Sequence, residues 1–226
     1  MEKVKNAVIL AAGIGSRLAP LTHDTPKALI KVKGVILIER LINQLLEAGI
    51  TEIIIIVGYK KEKFEYLIDK YNVSLIYNPD YKIKNNLFSL SLVLDKLNSS
   101  YVIFCDLYIK KNIFKQQEEE TAWYACSYLK EQTNEWYIKT HSDKKIKNIQ
   151  IGGSDSLILI GPAYFSAGFC KLFITYLKAA CKRKDTENWY WEDVLKEHID
   201  KLPIYANDQT GNIFEVDDLI MLSLIN

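Results

Sequence analysis

The sequence predicts an α/β fold, a mostly parallel sheet with antiparallel additions, and three observations predict it. Apolar runs of strand length, such as residues 4–12 (VKNAVILAA) and 52–57 (EIIIIV), lack polar alternation, as strands buried on both faces require. Between such runs lie segments whose apolar residues recur at helical spacing. After about residue 110 the pattern changes to short aromatic and β-branched stretches divided by turn residues (Asp143, Gly152, Gly153).

The elements follow in order. Residues 36–48 place apolar side chains at 38, 41, 42, 45 and 46, and Gly49 follows as a C-terminal cap. Gly58 closes the 52–57 strand. Residues 61–71 read as an amphipathic helix, 73–77 as a strand and 87–97 as a helix. Residues 100–105 (SYVIFC) read as a strand with Asp106 at its C-terminal end. Strands alternating with helices imply right-handed crossovers. Segments 122–129, 136–141, 145–151 and 157–161 read as antiparallel strands added to the sheet edge. Residues 163–182 and 188–199 read as helices, 202–206 and 212–216 as strands, and 217–225 as a closing helix. No linker rich in Pro, Gly or Ser divides the chain, so one domain over 1–226 is expected.

Composition narrows the function classes. The 226 residues carry 29 basic and 28 acidic side chains, a net charge of +1, which argues against a nucleic-acid-binding surface. Cys105, Cys126, Cys170 and Cys181 lack metal or redox spacing and sit among apolar or aromatic neighbours, so buried free thiols are expected. The N-terminus shows no secretory pattern, and no apolar run nears the roughly 20 residues of a membrane span. A reduced cytoplasm, with no membrane partner, is the expected setting.

Directly after the first strand comes Leu10-Ala11-Ala12-Gly13-Ile14-Gly15-Ser16-Arg17-Leu18. Small side chains and two glycines let backbone N–H groups approach an anion closely. Arg17 adds a permanent charge with planar donors suited to phosphate. Thr25-Pro26-Lys27 then places a point charge just past a stiff proline turn. The spacing is not a Walker loop, which needs Gly-Lys-Ser/Thr, nor a dinucleotide fingerprint, which needs glycine where Leu18 stands. A bare Gly-x-Gly after a strand is as often a structural turn as a ligand loop.

Asp106 falls where a buried strand ends, the place where open α/β sheets collect ligands. A carboxylate there can hold Mg²⁺ against a triphosphate, because Mg²⁺ keeps several waters and takes phosphate oxygens; a strand-end turn is the alternative. Asp217 is the second candidate ligand, although Asp217 and Asp218 equally suit a cap for the last helix. Asn85, Asn86 and Ser89 lie at a helix start, where they read a base or ribose or cap the helix. Two segments join aromatics to acids: Asn134-Glu135-Trp136-Tyr137 and Asn188-Trp189-Tyr190-Trp191-Glu192-Asp193. Aromatic faces with a nearby acid are what a quaternary ammonium requires, since it donates no hydrogen bonds. At helical spacing Trp189 and Glu192 share one face and Tyr190 and Asp193 another, so not all of them line one pocket. Core packing is the alternative for any single ring. His23, His141 and His198 form no constellation, and no general base is evident.

The full string AAGIGSRLAPLTHDTPKAL resembles the signature of the nucleotidyltransferases that activate sugars and small phosphorylated alcohols. The resemblance covers the whole chain, most strongly 6–30 and 52–108. It implies a Rossmann-like three-layer nucleotidyltransferase fold, with 1–110 as the nucleotide-binding half and 111–226 as an acceptor-binding elaboration. It further implies that Ala11, Ala12, Gly13, Gly15 and Ser16 hold the nucleotide and that Arg17 grips the triphosphate. Lys27 would lie between nucleotide and acceptor phosphate, with Asp106 and Asp217 as metal ligands. Many relatives have two acids at the first metal site, whereas here Phe104-Cys105-Asp106 leaves Asp106 alone. The Thr133-Asn134-Glu135-Trp136 and Tyr190-Trp191-acid segments are similar to those of the bacterial CTP:phosphocholine cytidylyltransferases. That similarity implies Mg²⁺-dependent transfer of CMP from CTP to phosphocholine. Asn85, Asn86 and Ser89 would serve the nucleotide, and Trp136, Tyr190, Glu192 and Asp193 the choline. The alternatives are a sugar-1-phosphate nucleotidyltransferase and a cytidylyltransferase for another phosphorylated or phosphonylated amine. A nucleotide-sensing module has no need of two metal ligands. Oligomeric state is not legible.

Overall fold

The computed structural model describes residues 1–225. Its first half contains β1 (Asn6–Ala11), α1 (Leu37–Glu47), β2 (Ile53–Val57), α2 (Tyr66–Tyr71), β3 (Ser74–Tyr77), α3 (Asn86–Ser91), β4 (Ser100–Phe104) and β5 (Leu107–Ile109). The second half contains β6 (Ala122–Leu129), β7 (Thr133–Thr140), β8 (Ile146–Gly153), β9 (Ser156–Phe165), α4 (Ala167–Ala180), α5 (Trp191–Glu197), β10 (Ile204–Asp208), β11 (Ile213–Glu215) and α6 (Leu219–Ile225). Among the described residues nine strands form the main sheet, in the order β8-β7-β9-β4-β1-β2-β3, with β6 on β9 and β10 on β6.

The strands β4, β1, β2 and β3 run parallel, with Val8 between Ile54 and Val102. The alternation along β1 explains its uninterrupted apolar run. Val8 and Leu10 face the layer of α3, α4 and α5, while Ala7, Ile9 and Ala11 face that of α1 and α2. Both layers are apolar, so every position from Ala7 to Ala11 carries an apolar side chain, and the one polar residue of the strand, Asn6 at its start, donates from Nδ2 to the Lys96 carbonyl. The α1 side chains Ile38, Leu41, Ile42 and Leu45 are fully buried, each worth roughly 1.5–3 kcal/mol of transfer free energy.

The expected antiparallel strands attach through β9, where Tyr164 stands opposite Tyr101 of β4. From β1 the chain crosses through α1 to β2 on one side, while β4 lies on the other. The crevice that such a reversal opens beyond the strand ends is where ligands bind in doubly wound sheets. Here it lies beyond Ala11 and Phe104.

Several boundaries differ from expectation. The helix expected at 61–71 is a 3₁₀ turn (Lys61–Phe64) followed by α2. The helix expected at 87–97 ends at Ser91 and continues as turns with i→i+3 bonds, such as Val93 N–H to the Leu90 carbonyl. Leu90, Val93, Leu94 and Leu97 are still buried, because apolar spacing specifies which side chains face the core rather than the type of turn. Residues 163–165 belong to β9 rather than to a helix. Ser166, whose Oγ accepts from Phe169 N–H, sets the start of α4. The helix expected at 188–199 begins only at Trp191, with Tyr190 as its N-cap. Cys105, Cys126 and Cys170 are buried free thiols as expected, but Cys181, just past α4, is exposed.

Candidate active site

The phosphate-loop candidate leaves β1 at Ala11 and turns at Gly15, whose φ is +71°. That backbone favours glycine, and space demands it as well. A Cβ on Gly15 would stand 2.9 Å from Lys27 Cβ and 3.2 Å from Thr22 Cγ2. The loop is pinned from behind: Thr22 Oγ1 donates to the Gly15 carbonyl at 3.0 Å, and the fully buried Leu18 anchors the 3₁₀ turn Ser16–Leu18. Gly58, expected to end β2, has a second reason to be glycine. A Cβ there would fall 2.6 Å from the Ala12 carbonyl oxygen and 2.7 Å from Tyr81 Cβ. At Gly13 an added Cβ would meet nothing within 4 Å, so the loop faces open space on the cleft side.

Asp106 and Asp217 are far apart in sequence and are joined by a ribbon. β5 and β11 pair antiparallel with Leu107 opposite Glu215, and Val216 N–H donates to the Asp106 carbonyl at 2.9 Å. Asp106, Glu215 and Asp217 each offer an oxygen, all lying within 4.8 Å of one another. Lys27 reaches into this cluster. Its Nζ lies 2.5 Å from Asp106 Oδ2 and also contacts Asp217 Oδ1, while Arg17 Nη2 lies 2.5 Å from Asp217 Oδ2. Burial alone would depress the Lys27 ammonium, but the Asp106 and Asp217 carboxylates outweigh it and hold the group above the usual lysine range. Burial, then repulsion from Asp106 and Asp217, drives the Glu215 carboxyl well above the usual carboxylate range.

The cluster fits a hard divalent cation. All its donors are carboxylate oxygens, the set preferred by Mg²⁺, Mn²⁺ or Ca²⁺, and among the described residues the buried Asp106 Oδ1 has no hydrogen-bond partner. Asp218 lies apart from this cluster. Its Oδ1 accepts from Met221 N–H at 2.7 Å, capping α6, so of the adjacent pair Asp217 faces the cleft and Asp218 the helix.

One cleft of about 410 Å³ gathers nearly every residue singled out in the sequence. Ala11, Ala12, Gly13, Gly15, Ser16, Arg17, Lys27, Asn85, Asn86, Ser89, Asp106, Trp136, Tyr190, Glu192 and Asp217 all line it. Asn85 caps α3 and donates from Nδ2 to the Asn188 carbonyl, and Asn86 Oδ1 accepts from Trp191 N–H at 2.8 Å. These amides thus join the α3 start to the segment carrying Tyr190. Ser89 Oγ accepts from Asn78 Nδ2 at 2.9 Å.

In the same cleft Trp136 and Tyr190 meet edge to face, with centroids 6.2 Å apart and planes at 78°. Glu192 is buried beside them. Its Oε1 accepts from Tyr124 OH at 2.8 Å, the Asn86 side chain lies near enough to favour the carboxylate, and among the described residues its buried Oε2 has no hydrogen-bond partner. Burial pushes this carboxyl up to about 8, which the Tyr124 hydrogen bond only partly offsets. Asp193 does not line the cleft. Its Oδ2 accepts from Tyr190 N–H at 2.8 Å, so the side chain is committed to capping α5. Trp189 lies outside α5 and outside the lining, with Arg183 over its ring.

Sequence reasoning missed Glu215 as a member of the acidic cluster, although strand alternation from Asp217 places position 215 on the same side. It also missed Tyr124, which carries no signal in the sequence beyond a strand-like context.

A model of the MobA-like NTP transferase domain matches residues 7–134. The choline-phosphate cytidylyltransferase of Streptococcus pneumoniae is 39% identical over 94% of this chain and 93% of its own length. A 2-aminoethylphosphonate cytidylyltransferase of Lancefieldella rimae is 36% identical over 96% of this chain and 90% of its own. The solved structure of CTP:phosphocholine cytidylyltransferase from S. pneumoniae superposes with a TM-score of 0.94, covering 99% of this chain and 97% of that one.

Proposed function

This chain belongs to the MobA-like NTP transferase family and is a nucleotidyltransferase, and on that premise we propose that it transfers CMP from CTP to phosphocholine, giving CDP-choline and pyrophosphate. The observation that carries the acceptor is the Trp136–Tyr190 pair in the same cleft as the buried Glu192 carboxyl, whose Oε2 has no hydrogen-bond partner among the described residues. Two ring faces suit a trimethylammonium, which needs desolvated aromatic contact but no hydrogen-bond acceptor, and its positive charge would draw the protonated Glu192 carboxyl into the ionised form that serves as countercharge.

The chemistry then follows from placement. A phosphocholine phosphate oxygen attacks the α-phosphorus of CTP in line, and the bond from that phosphorus to the bridging oxygen of the leaving pyrophosphate breaks. The attacking monoester is largely dianionic near neutrality, its second pKa being about 6, so no proton need be removed. The reaction therefore requires no general base. Gly13, Gly15 and Ser16 cradle the triphosphate with backbone donors, Arg17 neutralises it, and Lys27 neutralises the approaching acceptor phosphate. Asp106 and Asp217, with Glu215 beside them, would hold Mg²⁺, which when bound supplies charge neutralisation to the phosphates. We read residues 1–226 as one domain, 1–110 serving the nucleotide and 111–226 the acceptor. A cytoplasmic setting agrees with four free cysteines and with the finding that, among the described residues, no helix is long and apolar enough to cross a membrane.

The test is kcat/KM with CTP and Mg²⁺ for phosphocholine, phosphoethanolamine, 2-aminoethylphosphonate and glucose-1-phosphate, in the parent and in Trp136→Ala. Phosphocholine should lead the panel. A desolvated cation–π contact is worth about 2 kcal/mol, so Trp136→Ala should weaken phosphocholine about thirtyfold and leave CTP nearly unchanged. A parent preferring 2-aminoethylphosphonate, the substrate named for the L. rimae relative, would return the rings to a packing role. A preference for glucose-1-phosphate would restore the sugar enzyme.

Glu192 supplies a second check through pH. Its folded pKa of about 8 stands above the ordinary 4.5, so the folded chain keeps a proton that the unfolded chain has lost. The stability this confers is complete below the ordinary range and is lost as pH rises toward 8. Glu192→Gln keeps an acceptor for Tyr124 OH and has no proton to lose. It should therefore melt higher than the parent at pH 8 and about equally at pH 4, while binding phosphocholine more weakly. Equal melting at both pH values would show that the parent carboxylate ionises inside the fold without penalty.

A further inference from the structure

We propose that Lys27 is the resident cation of the acidic cluster in the free protein, and that a divalent cation enters only as a nucleotide triphosphate draws the lysine out. The proposal rests on the cation reading of Asp106, Glu215 and Asp217, and not on the identity of the acceptor.

The geometry has three parts. Lys27 Nζ already spans the cluster, 2.5 Å from Asp106 Oδ2 and in contact with Asp217 Oδ1, and its side chain is only 12% exposed. A divalent ion on the same oxygens would sit beside a buried ammonium, where like charges are poorly screened. Ion and ammonium therefore compete for one place. Second, the lysine satisfies the cluster incompletely. Asp106 is 9% exposed, yet its Oδ1 is buried without a donor among the described residues. An unpaired buried carboxylate oxygen is costly to maintain, and its presence here points to a ligand still to arrive. Third, the stem of Lys27 rests on Gly15, where an added Cβ would lie 2.9 Å from Lys27 Cβ and 3.5 Å from its Cδ. The phosphate loop and the foot of the lysine are one contact, so an anion filling the loop lies next to the lysine it attracts.

A triphosphate supplies what the exchange requires. It offers Nζ another anion and brings oxygen ligands for the incoming ion. Arg17, 2.5 Å from Asp217 Oδ2 in the free protein, is released toward the same phosphates. Metal and nucleotide therefore bind with positive coupling, each weakly when alone. The ammonium ends up beside the α-phosphate, where the proposed reaction needs it, so loading the cation also positions the lysine.

The experiment uses Mn²⁺ as the probe, with neither nucleotide nor acceptor present, and follows bound ion by electron paramagnetic resonance. Lys27→Met keeps the stem and removes the charge. It should bind Mn²⁺ at least about tenfold more tightly than the parent, within the usual range of coupling between sites. Lys27→Arg should bind as weakly as the parent, and adding Asp106→Asn to Lys27→Met should abolish the gain. Should Lys27→Met fold poorly, Lys27→Gln replaces it, and thermal melting gives the same contrast. Mn²⁺ alone should raise the melting temperature of the neutral variant by several degrees more than that of the parent. Equal affinity and equal melting shifts in parent and neutral variant would overturn the proposal and leave the cation site standing. Failure of the folded neutral variants to bind Mn²⁺ would overturn both, while the acceptor panel would still decide the substrate.

Discussion

Asp106→Asn is expected to remove most turnover while the chain still folds. The swap keeps shape and volume and removes the negative charge at the point where β4 ends and the β5–β11 ribbon begins. Loss of an outer partner of a metal ligand commonly costs 10- to 100-fold, so loss of a ligand itself should exceed about a hundredfold in kcat. Asp217→Asn should act in the same way, since its carboxylate belongs to the same cluster. The informative comparison is the adjacent residue. Asp218 caps α6 through Met221 N–H, and asparagine caps about as well as aspartate, so Asp218→Asn should retain near-parent turnover and melting. The measurement is pyrophosphate release at saturating CTP and acceptor, beside a thermal melt of each variant. Turnover lost in Asp218→Asn and kept in Asp217→Asn would reverse the assignment of the pair.

How much of this site was legible depended on how local each signal is. The loop from Ala11 to Lys27 could be read because its parts are contiguous: a buried strand, two glycines, an arginine and a lysine after a proline. Gly15 shows why the reading works, since φ and the space taken by Lys27 both exclude any other residue there. Asp106 was legible from its position at a strand end. The choice between Asp217 and Asp218 was not, because it depends on the twist of the ribbon, a pairing with β5 that no local pattern encodes. The same holds for Tyr124, which meets Glu192 only because β6 lies beside β9 and under α5. Asp193 was misread as a pocket residue because a helix was expected from 188. With the helix starting at Trp191, Asp193 is the third residue of its first turn, where a carboxylate caps the main chain. Helix lengths failed where apolar spacing outlasted the α-helical hydrogen bonds, as after Ser91.

Lys27→Ala separates the two roles given to the lysine, and it should have the largest effect on the chemistry. In the proposed reaction the ammonium faces charge that accumulates as two anionic phosphates approach, so its contribution is greater in the transition state than in either bound substrate. Removing a single donor to a developing oxyanion typically costs 10²–10³ in kcat, and a full charge in a cleft of this kind should cost about that or more. The loss should fall on kcat and on kcat/KM for the acceptor, with a smaller change in KM for CTP, because Arg17 and the loop backbone still hold the triphosphate. Arg17→Ala should show the reverse emphasis, weakening CTP more than it slows the bound complex. The free protein gives the second readout. Without the ammonium, Asp106, Glu215 and Asp217 lie close together with no charge to balance them except Arg17 at one oxygen. Lys27→Ala should therefore melt below the parent in chelator, and added Mg²⁺ should restore the melting temperature without restoring turnover. A lysine acting only as a structural counter-ion would be replaced on both counts, and turnover would return with the fold. Stability rescued by the cation and catalysis left unrescued is the pattern that assigns Lys27 to the reacting phosphates.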